Sequence, residues 1–471
     1  MLSDSKPVRG CMEKKSFLHK PQTARLLTEG KPWKVLISFA TPIFLSQLFQ
    51  QLYNTADSWI VGNFLGKEAL AAVNSSGSLI YLMISFFVGA SMGAGVVISR
   101  YFGAGDRERV SKAVHTNAVF SVLCGIILTV FGVLMTPQIL RWMGVPEDVL
   151  PRSTEYLRYY FLGSVPMVLY NSSKGVMNAV GDSRRPLYYL IVSSVLNIVL
   201  DLLFVGAFHM GVKGAAIATV LSQTVSATLC LIQLTRKGTV YRIEWKKLRI
   251  DRQSLKEIVK YGIPTGVQNS VIGFANVLVQ TNINSFGKLA MAACGAYSRI
   301  EGFVFLPIMS FSMALTSYIG QNLGAKQYDR ARQGARFGIL TSMLMAEAIG
   351  LIVFFFGNFF IASFIQDADP DAVAEIIAIG ARQFRVESLF YFLLAFSHAV
   401  AGICRGAGKA IVPMIIMLSV WCVIRIIYIT VAMKISHEIV LLFAAYPLTW
   451  FISSVIYFIY YKKSNWIHGF E

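Results

Sequence analysis

The stretch SLIYLMISFFVGASMGAGVVI, residues 78–98, contains no charged side chain over its whole length. A helix rises about 1.5 Å per residue, so a segment of this length can cross the roughly 30 Å hydrocarbon core of a bilayer. Similar apolar runs recur along the chain, for example at residues 118–135, 338–357 and 412–433. The sequence therefore predicts an all-α polytopic membrane protein.

The composition of the whole chain agrees with this prediction. Its 471 residues are 55% hydrophobic and 14% charged, against roughly 45–50% and about 25% in soluble domains. Six cysteines are scattered along the chain without any C-x-x-C spacing, at Cys11, Cys124, Cys230, Cys294, Cys404 and Cys422. This pattern indicates neither a disulfide framework nor a zinc site. We expect packing cysteines and a protein that needs no cofactor.

The net charge of +18 could suggest nucleic-acid binding, but the positions of the charges indicate membrane topology. Basic residues cluster in the N-terminal segment, at residues 100–112, in the linker RKGTVYRIEWKKLRIDRQ (236–253) and at residues 326–332, whereas the loop QDADPDAVAE (366–375) is acidic. Basic loops stay in the cytoplasm. We therefore expect a multi-pass protein of a prokaryotic inner membrane with both termini cytoplasmic, in contact with anionic lipid. We expect a monomer with no nucleic-acid partner.

Twelve spans fit the apolar runs, and one long polar linker divides them into six and six. The spans are predicted at 34–63, 70–101, 113–136, 154–180, 186–208, 213–236, 254–286, 290–323, 333–361, 380–404, 410–432 and 437–461. This arrangement predicts a cytoplasmic tail at 1–33, an N-half at 34–236, a linker at 237–253, a C-half at 254–463 and a C-terminal tail at 464–471.

The two halves resemble each other in sequence. When position 65 is matched with position 286, LGKEALAAV (65–73) aligns with FGKLAMAAC (286–294). When position 175 is matched with position 402, GVMNAVGDSRRP (175–186) aligns with GICRGAGKAIVP (402–413). Each half has an even number of spans, so the duplication predicts two six-helix bundles of the same orientation with a cavity between them. The matched glycines are expected to serve turns and close helix packing.

Polar residues form a stripe on the first span. Gln47, Gln50, Gln51, Asn54, Asp57 and Ser58 fall within an arc of about 120° at 100° per residue. A second acid, Asp201, shares a face of the fifth span with Asn197, and Thr219 lies on a polar face of the sixth. Acids inside a membrane usually mark ion or substrate pathways. We predict that Asp57, Asn197, Asp201 and Thr219 form a site for one proton or one small cation such as Na⁺. The alternative is that each acid only hydrogen-bonds a neighbouring helix.

The C-half does not repeat these acids in the matching helix. Its seventh span carries amides but no carboxylate. Glu301 lies in the outer third of its helix, and Glu387 lies two residues from Arg385 near an outer end. We expect Glu387 and Arg385 to form a structural ion pair, and the alternative is a coupling role for Glu387. The coupling chemistry is therefore predicted to lie in the N-half. Aromatic and amide side chains are expected to line the cavity for apolar cations, namely Gln50, Tyr53, Asn54, Tyr160, Tyr170, Asn178, Gln268, Asn276 and Gln280.

The chain from about Lys34 to Lys463 resembles the multidrug and toxic compound extrusion (MATE) transporters. The resemblance is carried by TPIFLSQLFQQLYNTADSWIVGNFLG (41–66), VMNAVGDSRRP (176–186), IGQNLGA (319–325) and CRGAGKAIVP (404–413). It implies a secondary antiporter in which inward flow of H⁺ or Na⁺ drives export of bulky organic cations while two bundles rock about a central cleft.

The resemblance also implies roles for particular residues. Asp57 matches the family's first-span cation-site aspartate, and Asn197, Asp201 and Thr219 match the polar cluster of the prokaryotic branch that includes the DinF-like members. Many other members have acids in the seventh and tenth spans. This sequence has Gln268 and Leu394 there, which favours coupling in the N-half.

Two other functions are alternatives to export. A lipid-linked oligosaccharide flippase would need a cationic cavity, and the one basic candidate, Lys174, is expected to extend to the cytoplasmic face. An intramembrane serine hydrolase is suggested by GASMG (89–93), which fits G-x-S-x-G. That motif requires a strand-to-helix elbow, whereas here G-x-x-x-G helix packing is the better interpretation. The chain is therefore predicted not to be an enzyme.

Overall fold

The computed structural model describes residues 26–143, 145, 147, 149–365 and 369–470, and excludes the side chains of 67–72, 74–79, 81–84 and 274. Most of the predicted N-terminal tail, Cys11 and part of the acidic loop lie outside this description. The regular elements of the described residues are helical. The α-helices are α1 (Pro32–Gly103), α2 (Arg107–Trp142), α3 (Leu150–Leu162), α4 (Ser164–Ala179), α5 (Arg184–Asp201), α6 (Val212–Thr235), α7 (Arg252–Asn284), α8 (Lys288–Gly324), α9 (Tyr328–Ala362), α10 (Pro370–Glu387), α11 (Tyr391–Gly406), α12 (Ile411–Met417), α13 (Arg425–Ile435) and α14 (Ile439–Lys463).

These helices supply the twelve predicted spans. In the described part of the chain, ten helical segments are long and apolar enough to cross a membrane, and α1 provides two of them. The remaining two spans are α7 and the pair α3–α4. The fold class predicted from the sequence is confirmed. For brevity, α1–α6 are called the N-half and α7–α14 the C-half.

Backbone geometry repeats between the halves in the two predicted alignments. Gly66 bends α1 with φ 82° and ψ −176°, and its counterpart Gly287 separates α7 from α8 with φ 91° and ψ −178°. Gly181 and its counterpart Gly408 have φ values of 81° and 75°. These left-handed conformations favour glycine. The duplication seen in the sequence is therefore a structural duplication.

Two spans are interrupted where the sequence predicts continuous helices. The fourth span breaks at Gly163 between α3 and α4, and the tenth breaks at the 3₁₀ turn Ser388–Phe390 between α10 and α11. At Gly163 an added Cβ would lie 2.4 Å from Val220 of α6, so the chain passes its neighbour too closely for a side chain. The alignment that matches Gly181 with Gly408 also matches Gly163 with Phe390, so the interruption belongs to the repeat.

The halves meet along a seam of glycines. A Cβ on Gly89 would lie 2.4 Å from Gly266 of α7, and one on Gly93 would lie 2.4 Å from Gly262. Two G-x-x-x-G segments therefore cross backbone against backbone, as such small residues allow in membranes. The G-x-x-x-G interpretation of GASMG is confirmed. Ser91 lies in the same helix and donates its hydroxyl proton to the carbonyl of Phe87, 3.0 Å away.

A second, reciprocal contact closes the end of the molecule that holds both described chain ends. A Cβ on Gly103 would lie 2.0 Å from the carbonyl oxygen of Gln321, and one on Gly324 would lie 2.1 Å from that of Arg100. The alignment that matches Gly66 with Gly287 also matches Gly103 with Gly324 and Arg100 with Gln321. Each half therefore contributes the same glycine and the same carbonyl position to this contact. We call this region the terminus end. Here the N-half and the C-half are in backbone contact.

Gln321 ties three segments together at the terminus end. Its side chain is fully buried and accepts a hydrogen bond from the backbone N–H of Leu27 (2.8 Å). It also donates to the carbonyl of Ala179 at the end of α4 (2.7 Å). Arg330 reinforces the N-terminal contact by donating to the carbonyls of Leu27 and Glu29. The N-terminal segment, α8 and the N-half are thus joined through one carboxamide.

Replacing Gln321 by Ala is expected to loosen the terminus end. The change leaves a buried N–H and a buried carbonyl without partners, at a cost of about 1–3 kcal/mol each. Ser99 is fully buried beside Gly320, so Ser99→Cys, with the native cysteines replaced by alanine, reports opening. We expect its reaction with a water-soluble maleimide to quicken in Gln321→Ala and to stay slow in the exposed control Gln333→Ala. Equal rates in both variants would contradict this role.

The linker between the halves is docked on the start of α2. Nε2 of His115 accepts a hydrogen bond from the backbone N–H of Glu244 (2.9 Å). The hydroxyl of Thr116 accepts one from the backbone N–H of Asp251 (2.9 Å). Asp251 caps α7, and the N–H and hydroxyl of Ser254 lower the pKa of its carboxyl. The linker therefore holds the start of the C-half against the N-half.

Candidate functional site

The structure places Asp57 and Asp201 side by side. Asp57 projects from the first arm of α1 and is 9% exposed, whereas Asp201, the last residue of α5, is fully buried. Their carboxyl groups are within hydrogen-bonding range of each other. A π-helical segment, Leu202–Ala207, begins directly after Asp201, and such segments often occur at functional sites. Two carboxyl groups this close can share one proton or hold one cation between them.

Buried polar atoms without partners surround the pair. Apart from the contact between the two acids, no hydrogen-bond partner is found among the described residues for either carboxylate oxygen of Asp201, Oδ1 of Asp57, both side-chain polar atoms of Asn197, or the hydroxyl of Ser194. Buried polar groups are normally paired, so a cluster of unpaired ones indicates a bound ion or water. Carboxylate, amide and hydroxyl oxygens suit a proton or a small hard cation.

Thr219 and Gln223 bring α6 to the same region. The hydroxyl of Thr219 donates to the carbonyl of Ala215 in its own helix (3.1 Å), which leaves its oxygen able to accept. Gln223 donates to the hydroxyl of Tyr53 (3.4 Å), and its buried carbonyl oxygen has no partner in the described part of the chain. Gln223 was not among the predicted site residues, although it lies one turn after Thr219.

Tyrosines form an aromatic wall beside the acids. Tyr53, Tyr156 and Tyr160 all lie within electrostatic range of Asp57, and the rings of Tyr156 and Tyr160 are 6.1 Å apart. Tyr160 donates to the sulfur of Met167. Aromatic faces next to a carboxylate pair can attract an organic cation. Tyr156 was missed in the sequence, where its i, i+4 spacing to Tyr160 could have identified it.

The other residues predicted to line the cavity lie in different surroundings. Gln50 and Tyr53 are half-buried, and Asn54 and Asn276 are exposed. Gln280, also exposed, donates to Asn284 (2.9 Å).

The remaining three are buried. Tyr170 is 1% exposed within the packed N-half core, and Gln268 donates to the sulfur of Met417 in the C-half. Asn178 is buried near the end of α4. Tyr170 and Gln268 are therefore packed against protein.

Asn197→Leu is expected to keep the protein stable while weakening cation binding. Both polar atoms of Asn197 lack a partner in the described structure, so an apolar side chain of similar size removes an unpaired amide without breaking a bond. Asn117, equally buried, donates to Ser172 (2.6 Å), and Asn117→Leu should lower stability by about 1–3 kcal/mol. Thermal unfolding of both variants checks the difference. Equal losses of stability would contradict an ion-binding role for Asn197.

The predicted ion pair between Glu387 and Arg385 is wrong. Arg385 is exposed on α10, whereas Glu387 faces the opposite way and is fully buried. Glu387 accepts hydrogen bonds from the hydroxyl of Tyr297 (2.8 Å) and the amide of Gln383 (2.8 Å). Two residues along a helix point about 200° apart, so sequence proximity did not imply contact.

Lys174 also departs from its prediction. The side chain is 9% exposed and lies within electrostatic range of Cys230 of α6, so it does not extend to the protein surface. The five described cysteines are buried with free thiols.

Comparison with known proteins gives consistent matches over most of the chain. The sequence profile of the MatE family matches residues 42–203 and 264–431. A probable multidrug resistance protein of Bacillus subtilis, YoeA, is 28% identical over 94% of this chain and 96% of its own length. A probable multidrug resistance protein of Thermotoga maritima, NorM, is 28% identical over 86% of each chain.

Solved structures share the fold. A MOP superfamily transporter from Pyrococcus furiosus, described as having a binding pocket of reversed polarity, superimposes with a TM-score of 0.88 at 22% identity. The outward-facing conformation of a MATE family transporter superimposes with a TM-score of 0.87 at 22% identity. Both comparisons cover 94% of this chain and 98% of the other.

Proposed function

The chain belongs to the MatE family, the multidrug and toxic compound extrusion transporters, and we propose that it exports amphipathic organic cations in exchange for H⁺ or Na⁺. It is a membrane transporter and not an enzyme. The observation that carries the proposal is the Asp57–Asp201 pair with its unpaired buried oxygens. Relatives described as probable multidrug resistance proteins support the choice of cargo.

The acid pair can alternate between two positive partners. When both carboxylates are charged, the pair and the aromatic wall of Tyr53, Tyr156 and Tyr160 attract a cationic cargo. A proton or Na⁺ that enters from the other side lowers the charge of the pair from two negative charges to one and weakens that attraction. The cargo is then released. Because Asp57 lies on α1 and Asp201 on α5, this change of charge also changes the force between these helices.

The driving force for this exchange is adequate. One elementary charge that moves through 100 mV supplies about 2.3 kcal/mol, and a concentration gradient of the coupling ion adds to it. The two halves would rock about the glycine seam at Gly89, Gly93, Gly262 and Gly266, where their backbones touch.

We place the terminus end on the cytoplasmic side of a prokaryotic inner membrane. The basic segments at residues 100–112, the linker and 326–332 lie at the ends of helices adjoining it, and such segments stay in the cytoplasm. The backbone contacts at Gly103 and Gly324 make this a state closed toward the cytoplasm. We propose that the chain acts as a monomer that contacts lipid and no nucleic acid.

Export of a fluorescent cation such as ethidium from proteoliposomes tests the proposal. The pH gradient and the Na⁺ gradient are each imposed and collapsed separately. Export should stop when one of the two gradients is removed and continue when the other is removed. Export that is insensitive to both gradients would contradict antiport, as would an absence of export under every gradient.

A further inference from the structure

The C-half contains a buried acidic cluster that the N-half mechanism does not use. Glu301 of α8 and Glu387 at the end of α10 lie on either side of one phenol. The hydroxyl of Tyr297 is 2.8 Å from Oε2 of Glu387 and 3.2 Å from Oε1 of Glu301. The hydroxyl of Tyr391 lies 3.1 Å from that of Tyr297. Two carboxyl groups from different helices are thus held within reach of one hydroxyl.

The hydroxyl groups of this cluster supply one proton fewer than its three contacts require. The hydroxyl of Tyr297 has a single proton, which its shorter contact assigns to Glu387. Tyr391 can donate its own proton to the oxygen of Tyr297. The contact between Tyr297 and Glu301 then joins two acceptors. It becomes a hydrogen bond when Glu301 is protonated, and a bound monovalent cation would satisfy both oxygens as well.

The charges of the cluster also indicate that one proton or one monovalent cation is needed. Among the described residues, Arg425 of α13, 2% exposed, is the cation in electrostatic range of both glutamates. Its guanidinium donates to the hydroxyl of Thr449 (2.8 Å) and lies 4.4 Å from the ring centre of Tyr446. Two carboxylates and one guanidinium leave one net negative charge, which is costly to bury. One added positive charge makes the cluster neutral.

An unpaired oxygen at the cluster provides an independent indication of a ligand. Gln383, 3% exposed, points its amide nitrogen at Oε1 of Glu387 (2.8 Å). The carbonyl oxygen of the same carboxamide is buried and has no hydrogen-bond partner in the described part of the chain. Buried amide oxygens are normally satisfied. A cation or a water held at the glutamates would satisfy this one.

The cluster occupies the place in the C-half that the aromatic wall occupies in the N-half. The alignment that matches Gly181 with Gly408 places Tyr156 on Gln383 and Tyr160 on Glu387. Both N-half tyrosines lie within electrostatic range of Asp57. The duplicated fold therefore positions a charged site at the same point of each half, with acids on different helices. Gln268 and Leu394, which stand where the family resemblance implies C-half acids, are not part of it.

Access to the cluster is from the boundary between the halves. Glu387 is fully buried, whereas Glu301 is half-buried. A Cβ on the next residue, Gly302, would lie 3.7 Å from the amide nitrogen of Gln51 on α1. α8 thus contacts α1 of the other half one residue from Glu301, and Glu301 and Tyr297 connect this boundary with Glu387.

We propose that Glu301 and Glu387, with Tyr297 and Gln383, form a second site that binds one proton or one monovalent cation, independent of the Asp57–Asp201 site. The titratable groups that face the pair are Cys294, Tyr297, Tyr391, Arg425 and Tyr446. The role of the site in transport rests on the proposed function. Its occupancy does not, so binding can be measured on purified protein without cargo.

Two tryptophans allow the occupancy to be read directly. Trp421 lies 5.6 Å from the guanidinium of Arg425, and Trp450 lies 5.9 Å from Tyr391. Intrinsic fluorescence of the purified full-length protein is titrated with acid in Na⁺-free choline buffer, and separately with NaCl at constant pH and ionic strength. The first titration tests for a proton and the second for Na⁺.

We expect a saturable change in at least one titration of the wild type and of Asp57→Asn. The change should be lost, or its midpoint shifted at least tenfold, in Glu387→Gln and in the half-buried, better tolerated Glu301→Gln. Glu347→Gln is the matched control, because that glutamate accepts from the backbone N–H of Phe392 next to Tyr391 but is outside the cluster. A change that persists unaltered in either cluster variant, that disappears in Asp57→Asn, or that is absent from the wild type in both titrations would overturn the proposal.

Discussion

Asp57→Asn is expected to reduce export to the background of protein-free liposomes while the protein still inserts and folds. The amide keeps the size of the side chain but cannot carry the charge that alternates between cargo and coupling ion. Asp201, left alone in a fully buried position, would then remain protonated, because an isolated buried carboxylate is costly. Ethidium export from proteoliposomes measures the loss, and thermal unfolding shows that the fold persists.

Asp329→Asn is the matched control for this prediction. Asp329 lies on the surface of α9 and forms an exposed ion pair with Arg332 (3.2 Å), which is worth at most about 1 kcal/mol. The same chemical change there should leave export intact. Normal export by Asp57→Asn would contradict the assignment of coupling to the acid pair.

Gly93→Ala is expected to separate the halves at their seam. The new methyl carbon would lie 2.4 Å from the backbone nitrogen of Gly262 and 2.4 Å from the carbonyl oxygen of Ile258. Neither atom belongs to a flexible side chain, so α1 and α7 must move apart. Overpacking of this kind costs about 1–3 kcal/mol. Both thermal stability and export should fall, since the two halves rock about this contact.

Gly95→Ala provides a control two residues away in the same helix. Its methyl carbon would lie 3.6 Å from the carbonyl of Gly175, an ordinary van der Waals distance. Alanine also favours helix by up to about 1 kcal/mol. Stability should therefore be unchanged or higher. A loss in Gly95→Ala equal to that in Gly93→Ala would show that helical glycine itself, and not the seam, is required.

The fold could be predicted from the sequence because its signals are local or repeated. Long apolar runs specify helices, and the matched glycines at 66 and 287 indicate the duplication, which their positive φ values repeat. The break at Gly163 had a signal in the sequence, because Pro166 cannot donate a hydrogen bond to the carbonyl of Leu162. The 3₁₀ turn Ser388–Phe390 contains no proline or glycine and could not be predicted.

The candidate site was predictable only in part. Asp57 and Asp201 stand out because few acids lie inside spans, and the structure brings them together. The contacts of Glu387 were not predictable, since its partners Tyr297 and Gln383 are set by helix rotation and by packing between α8 and α10. Nearness to Arg385 in the sequence suggested the wrong partner. The burial of Lys174 was not predictable either, because it depends on how α4 packs against its neighbours.

The most direct test of the central claim is competition between cargo and coupling ion for the acid pair. Binding of tetraphenylphosphonium to the purified protein is measured at a series of pH values without Na⁺, and at a series of Na⁺ concentrations at fixed pH. The account predicts that the apparent Kd rises with proton or Na⁺ activity in the wild type, and that this dependence is lost in Asp57→Asn and Asp201→Asn. Binding that is independent of both ions in the wild type, or equally dependent on them in both variants, would contradict it.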